Sequence, residues 1–504
     1  MPDKSDSIGS SQSPGESGNR ASGSAHRFLI RWYPLLIPAG VLLFYLPFIP
    51  RAFMGDDWLW LAHAEKALAE PSLLLSRPIY GYFRPLYVIY IGVLQFAFGL
   101  HALAFALVNL AFHLLNCYLL ARVLVRLGLS HSLTALSSVL FGFYFLTCPA
   151  VCWISAGSDL VTLTLMLTFI LLLINYYEVA SLKRFLLIAL TGLAATLVKE
   201  VGFVSVLLFF IYPLLRKQNP FRRGYSAGAI LMLLFFAGYL VFYFNTRSFI
   251  DKELVTDTRV FTNLWFLATY QVLPISARMV GNLGESVHQL LYIVRAGVTI
   301  SLPLLWIWLF IKRGAAVRMF LLWPLLFLGP VAMFDWNVGL FDLYPERTAS
   351  RYMYIAIPGT AVLISVIVSW LYDCMKRWRP VAVVALVLFL AGNLAAVYKV
   401  TRTYQVRQRE SSNLYEQLSR NRERLQKCDE LLITTDNAAT SPALLQYPRV
   451  LEAMCYLVAE RDFTVILRTD SSSGESLAPP EPCVFRWISA EKRFRPIGSD
   501  RVVR

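Results

Sequence analysis

Charged side chains are scarce in this sequence. Asp, Glu, Lys and Arg together make up only 16% of the 504 residues, whereas a soluble domain averages nearer ~25%. Hydrophobic residues account for 57% of the chain. A chain with so few charged residues could not form a polar surface large enough for a soluble protein of this size. The sequence therefore excludes an ordinary soluble enzyme and predicts a polytopic membrane protein.

Clusters of metal-binding side chains are also missing. The chain contains six His and seven Cys, and they are scattered. Cys148 and Cys152 stand four residues apart, but nothing nearby completes a zinc-binding set. We therefore predict no metal-ligating residues, while use of a divalent ion stays open. Further along, Cys428, Cys455 and Cys483 could form one disulfide in an oxidising compartment and leave one thiol free.

A single basic patch is lacking as well. The net formal charge is +15, but most Lys and Arg stand between apolar runs. This distribution argues against a nucleic-acid partner and for loops at a membrane surface.

No cleavable signal peptide is apparent. Residues 1–31 include a Ser- and Gly-rich stretch without an apolar face, which predicts a disordered cytoplasmic tail. The first apolar run follows without a small-residue cleavage site, so we expect it to remain as an anchor.

Long apolar runs dominate what is present. A transmembrane helix needs roughly 17–25 apolar residues, so the run 184–215 is too long for one helix. It is interrupted at Lys199 and Glu200 and has basic residues at both ends. Because cytoplasmic loops carry the excess of Lys and Arg, we interpret this run as two short spans that turn at the outer face. The other predicted spans are 32–50, 102–121, 133–150, 159–177, 225–244, 288–311, 319–334, 352–373 and 380–398.

The short run 86–99 decides the orientation. If it crossed the membrane, fourteen Lys and Arg would lie outside, whereas all fourteen lie inside if it rests in the interface. We take the second interpretation, which gives eleven spans, a cytoplasmic N-terminus and an external C-terminus. The fourteen residues are Arg122, Arg126, Lys183, Arg184, Arg216, Lys217, Arg222, Arg223, Lys312, Arg313, Arg318, Lys376, Arg377 and Arg379.

The first outer loop, 51–101, then carries surface-lying helices, and residues 57–69 have amphipathic spacing.

After residue 402 the chain turns polar. The pattern predicts helices over 405–427 and 443–460 and strands over 429–435, 463–469 and 483–489. Pro448 favours a later start for the second helix.

We therefore predict a mainly α fold: a polytopic membrane helix bundle of about eleven spans with interfacial helices in the first outer loop and a small C-terminal α/β domain. The predicted divisions are a tail at 1–31, a transmembrane catalytic module at 32–400 and an extracytoplasmic domain at 401–504.

Ionisable residues gather on the outer side of this topology. Adjacent carboxylates in the stretch MGDDW follow the first span, and such a pair beside hydrocarbon indicates function. Cations there could neutralise a phosphate, a carboxylate could act as general base on a hydroxyl, and apolar surroundings could hold a lipid tail. A lipid-linked phosphosugar fits all three. The residues are Asp56, Asp57, Arg84, Asp159, Lys199, Glu200, Glu346, Arg347 and Arg351.

Each of these residues also has a purely structural interpretation. Asp56, Asp57 and Asp159 are good helix-capping types. Lys199 and Arg351 could extend from span ends to the interface, and Glu346 with Arg347 could form a weak exposed pair. In the second span, Asn109, His113 and Asn116 share one helical face, which predicts hydrogen bonds between helices.

The ordered motifs resemble the GT-C superfamily of polytopic glycosyltransferases, in particular its protein O-mannosyltransferase-like and aminoarabinose-transferase-like branch. The similar stretches are FMGDDW, FRPLY with FGLHALAFALVNLAFHLLN, WISAGSDLVTL, LVKE and SRYMYIAIPG, and they lie between residues 30 and 375. No tetratricopeptide repeats follow the spans. Where relatives often have Gly-Arg-x-Asp, this chain has Gly157-Ser158-Asp159, so one cation is missing.

The resemblance implies an inverting transfer of a sugar from a polyprenyl-phosphate carrier on the periplasmic or lumenal face. It implies Asp56 as the base with Asp57 assisting, and Lys199 and Arg351 as contacts of the donor phosphate. We add Arg84 to the phosphate-binding cations and expect Asp159, Glu200, Glu346 and Arg347 to contact donor or acceptor. The acceptor could be a protein, a lipid or a glycan.

Two other functions remain open. A glycan polymerase or ligase that uses a diphosphate-linked donor would also have many spans and outer arginines, but would not require the acidic pair. A transporter of lipid-linked sugars should show internal repeats and broken helices at the midplane, and no repeat relates the halves of this chain.

Overall fold

The computed structural model describes most of the chain and is mainly helical. The described residues are 32–76, 82–221, 225–246, 257–273, 284–334, 349–374, 379–428, 430–435, 448–462, 464–469, 483–488 and 493–496. Its longer helices are α1 (Trp32–Phe48), α2 (Asp56–Ala69), α3 (Pro85–Phe98), α4 (Ala102–Arg126), α5 (His131–Phe143), α6 (Gly157–Glu178), α7 (Leu182–Val198), α8 (Val204–Leu215), α9 (Ser226–Thr246), α10 (Arg259–Val272), α11 (Glu285–Lys312), α12 (Ala315–Ala332), α13 (Ile357–Cys374), α14 (Arg379–Arg420) and α15 (Pro448–Ala459).

All eleven apolar runs are helical, as predicted. Six described helices are long and apolar enough to cross a membrane, or seven with one bent pair. That pair is α5 with Phe145–Cys152, which meet at 51° within the predicted span 133–150. The helix breaks because Tyr144 has an extended backbone and Pro149 follows at the start of the next short helix. The polytopic helical architecture is therefore present, and eleven crossings remain a prediction.

The chain segments on either side of helix α3 are tied to turns between the bundle helices. Arg84, at its start, pairs with Glu200. Beyond its other end, Asn109 in the second turn of α4 donates to the carbonyl of Ile154 at 3.2 Å. Glu200 and Ile154 both belong to turns at the end of the bundle that also carries the acid pair. Contacts on both sides of α3 in the chain thus reach this end of the bundle, and the surface-lying interpretation of 86–99 remains a prediction.

Polar residues inside the bundle tie its helices together. His113 Nδ1 forms a hydrogen bond with the Tyr354 hydroxyl at 2.9 Å, and the Asn116 amide donates to the same hydroxyl at 3.1 Å. Thr164 donates to the Asn116 amide oxygen at 2.7 Å. The predicted interhelical hydrogen bonds are confirmed, and they fix Tyr354 in the short 3-10 segment Ala349–Ala356.

The last long helix joins the bundle to a small sheet. Helix α14 has 42 residues and continues without a break past residue 400, which corresponds to a length of about 63 Å. The sheet has the order β2-β1-β3-β4, with β1 (Glu430–Thr435) parallel to β2 (Thr464–Thr469) and β3 (Cys483–Ile488), and β4 (Arg493–Pro496) antiparallel to β3. Cys428 is disulfide-bonded, while Cys455 is a buried free thiol.

Among the longer helices in the described part of the chain, one was not predicted. Residues Arg259–Val272 form α10, which packs its buried side on α12. Its amphipathic pattern has too many polar residues, such as Asn263 and Gln271, for a search based on long apolar runs.

Candidate active site

The acid pair begins α2, and its two carboxylates face different surroundings. Gly55 precedes the helix with φ +52°, a left-handed backbone that favours glycine, and this sharp turn leads directly into Asp56. Asp57 is only 2% exposed. It accepts hydrogen bonds from the backbone N–H of Met54 at 2.8 Å and of Ser155 at 2.6 Å. Asp56 is half-buried and lines a small cavity.

Asp57 therefore joins two loops. Its hydrogen bonds connect the segment after α1 to the turn before α6, and the N-cap position of α2 is occupied by Gly55. Neither carboxylate is therefore at the N-cap position of α2. Burial raises the pKa of Asp57 to about 7, and the nearby Asp56 carboxylate acts in the same direction, against the two backbone donors.

This pKa makes stability depend on pH in a predictable direction. Since the folded-state pKa lies above the ordinary value of 3.8, the native state holds its proton more tightly than the unfolded state. The stabilisation is full below about pH 4 and is lost as pH rises through about 7. We expect the unfolding temperature of the detergent-solubilised protein to fall over this range relative to Asp57→Asn, which cannot titrate. Parallel pH profiles for the two proteins would contradict this assignment.

A buried ion pair connects α6 to the turn after α7. Lys199 Nζ lies 2.5 Å from Asp159 Oδ1, and their side chains are 7% and 3% exposed. Asp159 is in the first turn of α6, whose cap position is Ala156. Lys199 therefore does not extend into the interface and Asp159 does not cap its helix, so both structural interpretations were wrong.

A second ion pair lies beside the first. Arg84 binds Glu200 through two bonds, Nε to Oε2 at 2.8 Å and Nη2 to Oε1 at 2.6 Å. Burial alone would raise the pKa of Glu200, but the guanidinium of Arg84 outweighs it and the pKa is lowered. The turn that holds Lys199 and Glu200 is compact because Gly202 packs on the backbone of Ala195, where a Cβ would come within 2.3 Å of the Ala195 carbonyl carbon.

These groups surround a small polar cavity of about 50 Å³. It brings together the predicted residues Asp56, Arg84, Asp159 and Lys199, which come from four separate parts of the chain. The complete lining is Asp56, Trp60, Tyr82, Arg84, Ser155, Ala156, Ser158, Asp159, Lys199 and Tyr352.

A larger apolar cavity of about 420 Å³ adjoins the polar one. The two share Tyr82, Asp159, Lys199 and Tyr352, so the buried ion pair stands at their junction. The remaining lining of the larger cavity is mostly apolar and comes from α8, α9, α12 and the turn Glu200–Phe203, with Glu200 as a further charged member. The geometry thus places a carboxylate-lined polar space directly beside a larger apolar one.

Three predicted residues cannot be placed in this arrangement. Glu346 and Arg347 lie outside the described residues, and for Arg351 the structure describes the backbone within Ala349–Ala356 but not the side chain. Its neighbour Tyr352 lines both cavities and lies with its ring centroid 5.3 Å from Lys199 Nζ.

Several cavity residues were missed by sequence reasoning. Tyr82, Ser155, Ser158 and Tyr352 carry no charge, so nothing in a hydropathy or charge pattern distinguishes them from other loop residues. The pairing of each cation with a particular carboxylate was missed too, because it depends on how the helices pack. Among the described residues, no group of three or more His, Cys, Asp or Glu is arranged to hold a metal ion.

Comparison with known proteins finds structural likeness only. No family model and no curated protein matches this sequence. The solved structure of ArnT from Cupriavidus metallidurans in the apo state is 14% identical with a TM-score of 0.46, covering 88% of this chain and 86% of that chain. The same protein bound to undecaprenyl phosphate is 15% identical with a TM-score of 0.42, covering 86% of this chain and 85% of that chain.

An archaeal protein shows a likeness of similar strength. The apo oligosaccharyltransferase of Archaeoglobus fulgidus is 12% identical with a TM-score of 0.49, covering 86% of this chain and 64% of that chain. Scores at this level assign neither an activity nor residue roles to the present chain. Both of these proteins have the GT-C fold, the superfamily that the sequence motifs resemble.

Proposed function

We propose that this protein is an integral-membrane glycosyltransferase that moves a sugar from a polyprenyl-phosphate donor to an acceptor hydroxyl. The observation that carries the proposal is the junction of the two cavities. A carboxylate lines the polar cavity, a large apolar cavity adjoins it, and a buried lysine stands between them. A lipid-phosphate sugar has the same order of parts: sugar, phosphate, hydrocarbon chain.

Each part of the donor has a proposed place. The polyprenyl chain occupies the apolar cavity, where burial of hydrocarbon contributes roughly 0.8 kcal/mol per CH₂. The phosphate lies at the junction, near Lys199. The described charged residues that line the two cavities are two cations, Arg84 and Lys199, and three carboxylates, so the phosphate needs further positive charge. We assign Arg351 to this task, since it directly precedes Tyr352.

The reaction then needs one proton acceptor. Asp56 takes the proton of the acceptor hydroxyl as its oxygen forms a bond to the anomeric carbon with inversion. The bond from that carbon to the phosphate oxygen breaks, and the polyprenyl phosphate leaves with the electron pair. Asp57 holds the loop that presents Asp56. Arg84 and Glu200 shape the wall of the cavity as a pair, and Asp159 orients Lys199.

The proposed side of the membrane is extracytoplasmic, with the N-terminus in the cytoplasm and the C-terminal domain outside. Two observations support it. In the predicted topology the fourteen Lys and Arg belong to the loops at the end of the bundle opposite the site, and an excess of Lys and Arg is typical of cytoplasmic loops. The pairing of Arg84 with Glu200 requires these outer-loop residues to lie at the same end of the bundle.

A test of the donor site is to fill the apolar cavity. Gly329 on α12 lines this cavity, and a Cβ there would meet open space. We expect Gly329→Leu to fold normally, because a helical Gly is less favourable than other residues by about 0.5–1 kcal/mol. If its side chain displaces about two methylenes of the donor, KM for a long-chain donor should rise roughly tenfold. Kinetics with purified polyprenyl-phosphate sugars measure this change.

The matched control is Gly297→Leu on α11. A Cβ at Gly297 also meets open space, but the residue does not line the cavity. It should leave KM unchanged. Equal KM values for wild type and Gly329→Leu would remove the lipid chain from this cavity. A diphosphate-linked donor assayed in parallel distinguishes the polymerase or ligase alternative, which would transfer sugar only from the diphosphate.

A further inference from the structure

The C-terminal part of α14 contacts the helix that carries the acid pair. Trp58 directly follows Asp57 and is 2% exposed. Its indole N–H donates to Ser411 Oγ at 2.8 Å, and its ring stacks on Tyr415 with centroids 4.5 Å apart and planes at 19°. Ser411 and Tyr415 lie on one face of α14, since residues four apart in a helix are neighbours.

The far end of α2 is held by the same part of the chain. Helix α15 packs along α2. Lys66 pairs with Asp462, and its ammonium lies 4.3 Å from the ring centroid of Tyr456. Asp462 is 83% exposed, so this pair adds little, and the buried contacts of Trp58 are the stronger ones.

The opposite side of α2 faces the bundle. Asp57 is bonded to the turn at Ser155, and Trp60 lines the polar cavity and lies edge-on to Tyr87 with centroids 4.9 Å apart. Because successive helical residues point about 100° apart, the contacts of Trp58 and Asp57 together set the rotation of α2 about its axis. That rotation determines the direction in which Asp56 points.

We propose that Ser411 and Tyr415 are positioning residues, which hold α2 through Trp58 so that the Asp56 carboxylate faces the polar cavity. The C-terminal part of α14 then contributes to catalysis by fixing the orientation of α2. The effect on transfer rests on the proposed function, whereas the effect on the orientation of α2 does not.

Activity measurements test the first effect. Tyr415→Ala removes the stacking partner and should lower kcat by up to about 10²-fold, the loss that a displacement of about 1 Å can cause, with an unchanged KM for the donor. Tyr415→Phe keeps the stack and should keep kcat. Ser411→Ala provides a milder second variant, which leaves the Trp58 N–H without its acceptor and should lower kcat in the same direction.

The matched control is Phe389→Ala. Phe389 lies on the same helix and stacks on Tyr144 with centroids 6.0 Å apart, far along α14 from Trp58. Its loss should reduce stability without lowering kcat. A Tyr415→Ala protein with the wild-type kcat, or equal losses of kcat in Tyr415→Ala and Phe389→Ala, would overturn the proposal.

A second readout needs no activity. In Asp56→Cys, with the exposed Cys374 replaced by Ser, the rate of reaction with a small maleimide reports how position 56 faces the cavity. Tyr415→Ala should change this rate and Phe389→Ala should not. If the wild type transfers no sugar from a lipid-phosphate donor, the proposed function fails, and the maleimide rates still decide the orientation of α2. Equal rates in all three backgrounds would reject the positioning role.

Discussion

Replacing Asp56 with Asn should leave a folded protein that has lost sugar transfer by at least ~10²-fold, the lower end of what a general base contributes. The carboxylate is half-buried and lines the polar cavity, so it can reach a bound hydroxyl. An amide of the same shape cannot take up the proton. Donor binding should persist, because the proposed phosphate contacts lie elsewhere. The measurement is single-turnover transfer together with thermal unfolding.

Two neighbouring variants make this result specific. Unlike Asp56→Asn, Asp57→Asn should lower the stability of the protein. The buried carboxyl accepts hydrogen bonds from two backbone N–H groups, and an amide can satisfy only one of them with its oxygen. Glu65→Gln removes a carboxylate from the same helix, where Glu65 bonds to Gln95 at 3.0 Å, and should keep transfer. Near-normal turnover in Asp56→Asn would end the assignment of Asp56 as base.

Replacing Lys199 alone should destabilise the protein by about 3–5 kcal/mol, because Asp159 would be left as an unpaired buried charge. The double variant Lys199→Met/Asp159→Leu removes both charges and should recover most of this loss, since apolar replacements of a buried pair are often neutral or stabilising. The control Arg126→Met breaks a surface pair with Glu178, whose side chains are 43% and 56% exposed, and should cost less than about 1 kcal/mol.

The double variant separates the structural and the binding role of Lys199. If its ammonium contacts the donor phosphate, the double variant should be stable but bind the donor about 10- to 100-fold more weakly, as expected for a charge-assisted hydrogen bond of roughly 1.5–3 kcal/mol. Titration of a polyprenyl-phosphate sugar measures this. Recovery of both stability and donor affinity would show that the pair serves folding alone.

The sequence by itself determined the helices and the chemical character of the site. Hydropathy is a local property, so each of the eleven apolar runs is helical in the structure. The assignment of 86–99 to the interface, from its length and the distribution of Lys and Arg, remains a prediction. Asp56, Asp57, Arg84, Asp159, Lys199 and Glu200 could be assigned to one side because the parity of crossings alone places them there.

Only the tertiary structure decided which of these groups touch. Asp159 and Lys199 are 40 residues apart, Arg84 and Glu200 are 116 apart, and Trp58 and Ser411 are 353 apart. No local pattern encodes such pairings, since they follow from helix packing and from close approaches such as that of Gly202 to Ala195. The different surroundings of Asp56 and Asp57 likewise arise because α2 lies between the bundle and α14, so that one carboxyl is enclosed and its neighbour faces a cavity.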